Sequence, residues 1–146
     1  MSAGFMIPAA NVKRAVAKKA RANGKKARRR PEALIQESVC QYLALQERLG
    51  RLLWFAIPNG GSRNMLEAVN LKRQGLRAGV PDLCIIPKIG PVMFIELKSE
   101  EGTLSRLQSL WLQNLVEYGC PVRVCRSLDE VQQFLYETGV IREVAP

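Results

Sequence analysis

Two short apolar runs separated by a turn stand near the middle of the chain. Residues 83–86 (Leu-Cys-Ile-Ile) and 92–95 (Val-Met-Phe-Ile) are apolar throughout, and Lys-Ile-Gly-Pro between them supplies the residue types of a turn centred near Ile89. The pattern predicts an antiparallel β-hairpin. In this register Asp82 lies opposite Glu96 at the open end of the hairpin, where facing Cβ atoms are about 4.5–5.5 Å apart.

Helical periodicity and capping residues predict four helices around this hairpin, at residues 31–49, 65–74, 105–118 and 128–137. The buried stripe of the first helix is predicted to contain Ile35, Val39, Leu43 (or Tyr42) and Gln46. Gly50 and Gly75 follow the first two helices as closing residues. Ser105 and Gln108 have the spacing of a capping box at the start of the third helix, and Ser127 caps the fourth.

Two further apolar segments predict strands. Residues 52–57 are apolar at every position, which is typical of a central strand, and residues 121–125 form a shorter strand. Residues 140–141 either add an edge strand or remain loose. The order helix, strand, short helix, hairpin, helix, strand, helix predicts an α/β fold in which helices flank a mixed sheet.

The basic charge is concentrated at the amino end. The net charge is +9, yet residues 1–30 hold ten of the 22 basic side chains and no acid, which leaves 12 basic against 13 acidic side chains in residues 31–146. We expect an arm at 1–30 and one domain at 31–146. The arm is interpreted as a phosphate-binding segment, a solvated tail or a mitochondrial presequence, and we favour the first. Its candidate DNA contacts are Lys25, Lys26, Arg28, Arg29 and Arg30.

Composition excludes two classes of protein. No apolar run approaches the roughly 20 residues of a membrane span, so we expect a soluble protein. The four cysteines form no Cys-x-x-Cys pair and the chain has no histidine, which excludes a zinc cluster of the usual spacing. Reduced core thiols indicate a cytoplasmic setting.

The open end of the hairpin concentrates charge that packing alone does not require. Lys98 lies two residues after Glu96 and shares its face of the strand, whereas Leu97 points into the core. Opposed carboxylates raise each other's pKa unless a cation lies between them. Mg²⁺ takes oxygen ligands, which Asp82, Glu96 and the main-chain carbonyl of Leu97 are predicted to supply. The alternative is a polar hairpin end on which Glu96 and Lys98 form a solvated ion pair.

This pattern resembles the PD-(D/E)XK nuclease signature, and within that superfamily the chain is similar to the VRR-NUC domain over residues 31–136. The motifs that carry the resemblance are Asn59-Gly60-Gly61, Gly75-Leu76-Arg77-Ala78-Gly79-Val80-Pro81-Asp82-Leu83, Ile95-Glu96-Leu97-Lys98-Ser99, Gly102-Thr103-Leu104-Ser105 with Gln108, and Gly119-Cys120-Pro121-Val122. The resemblance implies a restriction-endonuclease-like fold and hydrolysis of DNA that depends on Mg²⁺ or Mn²⁺. Small standalone members are similar to Holliday-junction resolvases that act as homodimers, and such a nuclease suits a bacterial or phage-infected cell.

The resemblance also implies roles for residues outside the hairpin. The family's Glu-x-x-x-Gln pattern falls on Glu32 and Gln36, so Glu32 is the predicted third carboxylate, with Glu37 as the alternative. Glu32 also suits a helix amino end without any catalytic role. Gln108 either reaches the active site, as the family's glutamine does, or bonds back to the helix start. The predicted catalytic set is therefore Glu32, Asp82, Glu96, Lys98 and Gln108.

A glycine-rich loop and a basic cluster are the remaining candidate DNA contacts. Glycines leave backbone amides accessible to phosphate, and solvated basic side chains near a metal site suit a DNA strand. These candidates are Asn59, Gly60, Gly61, Arg63, Lys72, Arg73 and Arg77. Two functional hypotheses follow: a metal-dependent endodeoxyribonuclease, in which Lys98 assists a water that attacks phosphorus, and a non-catalytic DNA-binding module that retains the fold.

Overall fold

The structure, a computed structural model, describes residues 31–58 and 65–142. The helices of these residues are α1 (Pro31–Arg48), α2 (Met65–Arg73), α3 (Arg106–Glu117) and α4 (Leu128–Glu137). The strands are β1 (Leu52–Ala56), β2 (Leu83–Pro87), β3 (Met93–Leu97) and β4 (Val122–Cys125). Each predicted helix and strand is present, with boundaries that differ from the prediction by at most two residues.

The four strands form one mixed sheet in the order β1-β2-β3-β4. The pairs β1 with β2 and β2 with β3 are antiparallel, whereas β3 and β4 are parallel. Leu83 pairs with Ile95 and Ile85 with Met93, so the hairpin turn centres on residue 89 as the sequence predicts. The predicted α/β class, with a mixed sheet and flanking helices, is confirmed.

The prediction that residues 52–57 form a central strand is wrong. β1 pairs with β2 on one side only and is an edge strand of the sheet in the described residues. Its apolar run faces two ways: Leu52 is buried, whereas Leu53 and Phe55 are 58% and 51% exposed on the opposite face. The continuous hydrophobicity therefore does not indicate burial on both faces, because no described element covers the outer face of β1.

The hydrophobic core lies between one face of the sheet and the helices α1 and α4. Val39 and Leu43 of α1 and Val131 and Leu135 of α4 are fully buried there against the inward side chains of β2 and β3. Burying each such aliphatic side chain contributes about 1.5–3 kcal/mol. The chain after α4 is neither a strand nor loose, because buried Ile141 joins this core and its N–H donates to the Leu135 carbonyl at 3.2 Å.

Local capping ends the helices where the sequence indicates. Gly75 has φ +96° after α2, its N–H donates to the Lys72 carbonyl at 3.1 Å, and the Leu76 N–H donates to the Leu71 carbonyl at 2.9 Å. This is the hydrogen-bond pattern of a Schellman motif. Ser105 and Gln108 form the predicted capping box of α3. Among the residues that the structure describes, no helix is both long and apolar enough to cross a membrane.

Candidate active site

Asp82 is fixed at the open end of the hairpin by main-chain contacts to both neighbouring strands. Its carbonyl accepts the Ile57 N–H at 2.7 Å, and its carboxylate Oδ2 accepts the Leu97 N–H at 2.8 Å. The hairpin register places Asp82 across from Glu96, one pair beyond Leu83 and Ile95. The two carboxylates therefore share the sheet face that is opposite to the core.

Glu96 is almost completely buried, and its two carboxylate oxygens have different surroundings. Its side chain is 1% exposed, and Oε1 lies 3.2 Å from Lys98 Nζ and accepts a 2.5 Å hydrogen bond from Gln108 Nε2. In contrast, Oε2 is buried and has no hydrogen-bond partner among residues 31–58 and 65–142. Lys98 and Gln108 therefore orient the carboxylate and leave one oxygen free to bind another group.

Gln108 combines the two roles that the sequence analysis treats as alternatives. Its Oε1 accepts the Ser105 N–H at 2.9 Å, which completes the capping box, while its Nε2 donates to Glu96. One amide side chain therefore ties the start of α3 to the buried carboxylate. Gly79 allows α3 to approach this closely: a Cβ there would lie 2.8 Å from Leu107, and its φ of +83° also favours glycine.

Burial and the charge of neighbouring carboxylates raise the pKa values of both acids. Burial first, and then repulsion from Asp82, raises the pKa of Glu96 to about 7 against the opposing effect of Lys98. Burial also raises the pKa of Asp82, although the Leu97 N–H and Lys98 act in the other direction. Near neutral pH Glu96 is thus divided between its protonated and ionised forms, and a bound cation would favour the ionised form.

The donor set fits a hard divalent cation. Two carboxylates converge on one face, and the buried, unpartnered Oε2 of Glu96 needs either a proton or a positive charge. Mg²⁺ commonly takes one or two carboxylates and completes its octahedron with water, substrate oxygen or main-chain carbonyl. The described residues contain no group of three or more Asp, Glu, Cys or His side chains arranged around one metal position. The fit therefore depends on Asp82 and Glu96, and the Leu97 carbonyl stays a predicted third ligand.

Of the two candidate acids on α1, Glu32 lies beside this cluster. Its Oε1 accepts the Ser99 N–H at 3.3 Å, just past Lys98. It is close enough to Asp82 and Glu96 to contribute to the raised pKa of each. Glu37 is exposed further along the helix. The role of Glu32 as a supporting carboxylate stays a prediction, as does its simpler role at a helix amino end.

The predicted DNA contacts fall into two groups. Lys72 and Arg73 are exposed in the last turn of α2, and exposed Arg77 lies with its guanidinium carbon 5.2 Å from the centre of the Trp111 ring. Trp111 in turn donates from Nε1 to the Ala78 carbonyl at 3.1 Å, three residues before Pro81. The other predicted contacts lie outside the described residues: Lys25, Lys26, Arg28, Arg29, Arg30, Asn59, Gly60, Gly61 and Arg63.

One residue near the site has no role in the sequence analysis. Arg126, immediately after β4, donates to three carbonyls of the loop that follows Lys98. Its neighbours are more than 20 residues away in sequence, so no local pattern indicates the contact. The only signal in the sequence is a basic side chain directly after an apolar strand.

Comparison with known proteins identifies the family. The model of the VRR-NUC domain matches residues 17–129, which begins inside the predicted arm and spans most of the chain. A solved structure described as "VRR_NUC domain" is 24% identical in sequence, with a TM-score of 0.53. The match covers 75% of this chain and 97% of the chain in that structure. A second solved structure, described as "VRR_NUC domain protein", is 20% identical in sequence, with a TM-score of 0.57. The match covers 77% of this chain and 90% of the chain in that structure.

No curated protein gives a significant match. The two solved structures share the fold of this chain. The family match carries the stronger conclusion, because it includes the hairpin, both carboxylates, Lys98 and Gln108. The chain belongs to the VRR-NUC family and therefore carries a nuclease domain of the PD-(D/E)XK type.

Proposed function

We propose that the chain is a metal-dependent endodeoxyribonuclease that hydrolyses DNA phosphodiester bonds, with four-way junctions or other branched DNA as its preferred substrate. The observation that carries the proposal is the state of Glu96. Its Oε1 is held by Lys98 and Gln108, while its buried Oε2 faces no described partner and Asp82 lies on the same face. A purely structural carboxylate is normally satisfied on both oxygens.

Each side chain of the cluster has a distinct part in this proposal. Asp82 and Glu96 would hold Mg²⁺ or Mn²⁺, which supplies positive charge to polarise a phosphodiester oxygen. Lys98 is 12% exposed and lies at the edge of the cluster, where its ammonium orients the attacking water or offsets charge on the phosphate in the transition state. Gln108 fixes the orientation of Glu96, and Glu32 supports the site from α1.

DNA binding and assembly complete the proposal. Lys72, Arg73 and Arg77 present exposed positive charge on α2 and on the segment that leads to Asp82, and the basic arm at residues 1–30 adds affinity through phosphate contacts. Resolution of a four-way junction needs two opposed active sites, which implies a homodimer. The setting that we propose is the cytoplasm of a bacterial or phage-infected cell.

A cleavage assay tests the function directly. Purified protein is incubated with labelled duplex, flap and four-way-junction DNA, with Mg²⁺, Mn²⁺ or EDTA. We expect cut products only with a divalent cation and most product from branched DNA. The Asp82→Asn protein, purified in parallel, controls for contaminating nucleases. Absence of product in every condition would favour the non-catalytic DNA-binding module, and elution mass compared with the 16.3 kDa monomer tests the dimer.

The dual role of Gln108 gives a prediction with an internal control. Gln108→Ala removes both the cap and the hydrogen bond to Glu96, whereas Ser105→Ala removes only the hydroxyl half of the capping box. We expect each variant to lose about 1 kcal/mol of unfolding free energy, since that is the usual contribution of a cap.

Only Gln108→Ala should also reduce cleavage, by about 10- to 100-fold, as is usual when a group that orients a metal ligand is lost. Denaturant unfolding and initial cleavage rates measured on both variants check this separation. An equal loss of activity in Ser105→Ala would assign the effect to the helix rather than to Glu96.

A further inference from the structure

The loop at residues 99–102 follows β3 and is hydrogen-bonded to Glu32. On one side of the loop, the Ser99 N–H donates to Glu32 Oε1 at 3.3 Å. The loop closes on itself through the Gly102 N–H and the Ser99 carbonyl at 3.0 Å. A Cβ at Gly102 would lie 3.1 Å from Glu32 Oε1 and 3.0 Å from Ser99 Oγ, so the glycine backbone packs directly against the carboxylate.

The carbonyls of the same loop converge on one guanidinium. Arg126 Nη1 donates to the Ser99 carbonyl, to the Glu100 carbonyl at 3.2 Å and to the Gly102 carbonyl at 2.9 Å. The parallel pairing of β3 and β4 brings Arg126 to this position, because the Lys98 N–H donates to the carbonyl of the preceding residue, Cys125, at 3.0 Å. The contacts with the Ser99 and Gly102 carbonyls are partly buried, whereas the contact with the Glu100 carbonyl is exposed.

The loop lies between the Arg126 guanidinium and the Glu32 carboxylate. Three carbonyl oxygens that point to one place repel each other unless a positive charge lies among them. Arginine suits the position because its guanidinium is always charged, and the two N–H groups of Nη1 are shared among the three carbonyls. Because Arg126 holds three of its carbonyls, the loop keeps a fixed backbone in which the Ser99 N–H is directed toward Glu32.

We propose that Arg126 is a positioning residue that holds the 99–102 loop and, through the Ser99 N–H, orients Glu32 toward the carboxylates of Asp82 and Glu96. The effect of Arg126 on metal binding rests on the proposed metal-dependent function, whereas its hold on the loop rests on the hydrogen bonds described above. Glu32 is near enough to influence the ionisation of both acids. Among the described residues, Arg126 makes no hydrogen bond or ion pair with any of these three carboxylates.

Arg123, on β4 and three residues before Arg126, supplies a matched control. It is also an arginine of the β4 segment, but it pairs with Glu137 at 2.5 Å and lies 4.8 Å from the centre of the Phe134 ring. It makes no contact with the 99–102 loop in the described structure. Arg123→Ala therefore removes an arginine side chain three residues before Arg126 without releasing the loop.

The first measurement needs no metal and no activity. Backbone ¹⁵N relaxation compares the native protein with Arg126→Ala and Arg123→Ala. We expect order parameters at residues 99–102 to fall from about 0.85 to below about 0.6 in Arg126→Ala only. Arg126→Lys, which keeps the charge but not the planar geometry, should give intermediate values if Arg126→Ala does not fold. An unchanged loop in Arg126→Ala, or the same loss in Arg123→Ala, would overturn the proposal.

The second measurement tests whether Arg126 acts through Glu32. Mn²⁺ dissociation constants are measured by electron paramagnetic resonance for the native protein, Arg126→Ala, Glu32→Ala and the double variant. We expect Arg126→Ala to weaken Mn²⁺ binding by about tenfold in the native background, as is usual for groups that orient a metal site. The same change should have less than about a twofold effect when Glu32 is already alanine, since residues that act as one unit are not additive.

The two measurements separate failure of this proposal from failure of the proposed function. Full additivity in the double variant would show that Arg126 acts by a route other than Glu32, and would overturn the assignment. If the native protein binds no Mn²⁺, the metal-dependent function fails, whereas the relaxation data still decide whether Arg126 holds the loop.

Discussion

Replacing Asp82 with Asn or Glu96 with Gln is expected to abolish cleavage while the protein stays folded. Each change keeps the shape of the side chain and removes one of the two charges that would bind the cation. We expect a loss of roughly three orders of magnitude or more in cleavage rate, because the charge stabilisation supplied by the cation is lost with it. DNA affinity, measured by fluorescence anisotropy in EDTA, should remain near native, since the basic side chains are untouched.

The Glu96→Gln protein should also be more stable than the native protein in the absence of metal. Glu96 is buried with a pKa of about 7 against an ordinary 4.5, so its ionised form costs about 3 kcal/mol at pH 8. A neutral glutamine avoids that cost and still presents an oxygen to Gln108 Nε2. Lys98 loses its partner and offsets part of the gain. A net increase of about 1–2 kcal/mol in unfolding free energy at pH 8 is therefore expected.

The opposite signs of these two effects distinguish a catalytic residue from a structural one. A residue that stabilises the fold lowers both activity and stability when it is replaced, whereas Glu96→Gln should lower the first and raise the second. Glu117 is an exposed carboxylate at the end of α3, so Glu117→Gln is the control that should change neither activity nor stability. Native cleavage rates in Glu96→Gln would refute the assignment of Glu96 as a metal ligand.

The features that the sequence predicts well are those that depend on near neighbours. The hairpin register follows from two apolar runs and one turn, and it alone places Asp82 opposite Glu96. The capping box at Ser105 and the glycine after α2 are also local signals, and both are present. Local chemistry therefore predicts the centre of the site, because its two carboxylates lie on strands joined by one short turn.

The features that the sequence does not predict depend on which distant segments meet. The edge position of β1 is determined by its single neighbour, and its apolar outer residues Leu53 and Phe55 carry no information about strand order. Gln108 makes both of its alternative contacts because α3 packs close to Glu96, which a helical period cannot show. Arg126 reaches its loop only through the parallel pairing of β3 with β4.

The second large effect is expected in the pH dependence of stability. The folded protein holds a proton on Glu96 up to about pH 7, whereas the unfolded chain releases it near 4.5. The folded state thus binds more protons between these values, so unfolding free energy in EDTA should fall as pH rises through this window. The raised pKa of Asp82 acts in the same direction. We expect a total loss of about 3 kcal/mol between pH 5 and pH 8.

The composition of the chain simplifies the assignment of this pH dependence between pH 5 and pH 8. The sequence has no histidine, the side chain that ordinarily titrates between pH 5 and 8. Burial raises the pKa values of Cys84 and Cys125, so these two thiols stay neutral over the range. The slope is therefore assigned to the carboxylate cluster, and Glu96→Gln should remove most of it.

Saturating Mg²⁺ should largely cancel this fall in stability. The cation competes with the proton for Glu96, so its apparent affinity rises with pH until the carboxylate is ionised. At 100 times its dissociation constant a ligand adds about 2.7 kcal/mol of stability, and this gain should be realised at pH 8 and largely lost at pH 5.5. Denaturant unfolding at both pH values, with Mg²⁺ and with EDTA, measures how the stabilisation by Mg²⁺ changes with pH. An equal Mg²⁺ effect at both pH values would mean that the cation binds elsewhere. The native slope retained in Glu96→Gln would mean that Glu96 is not the group that titrates in this range.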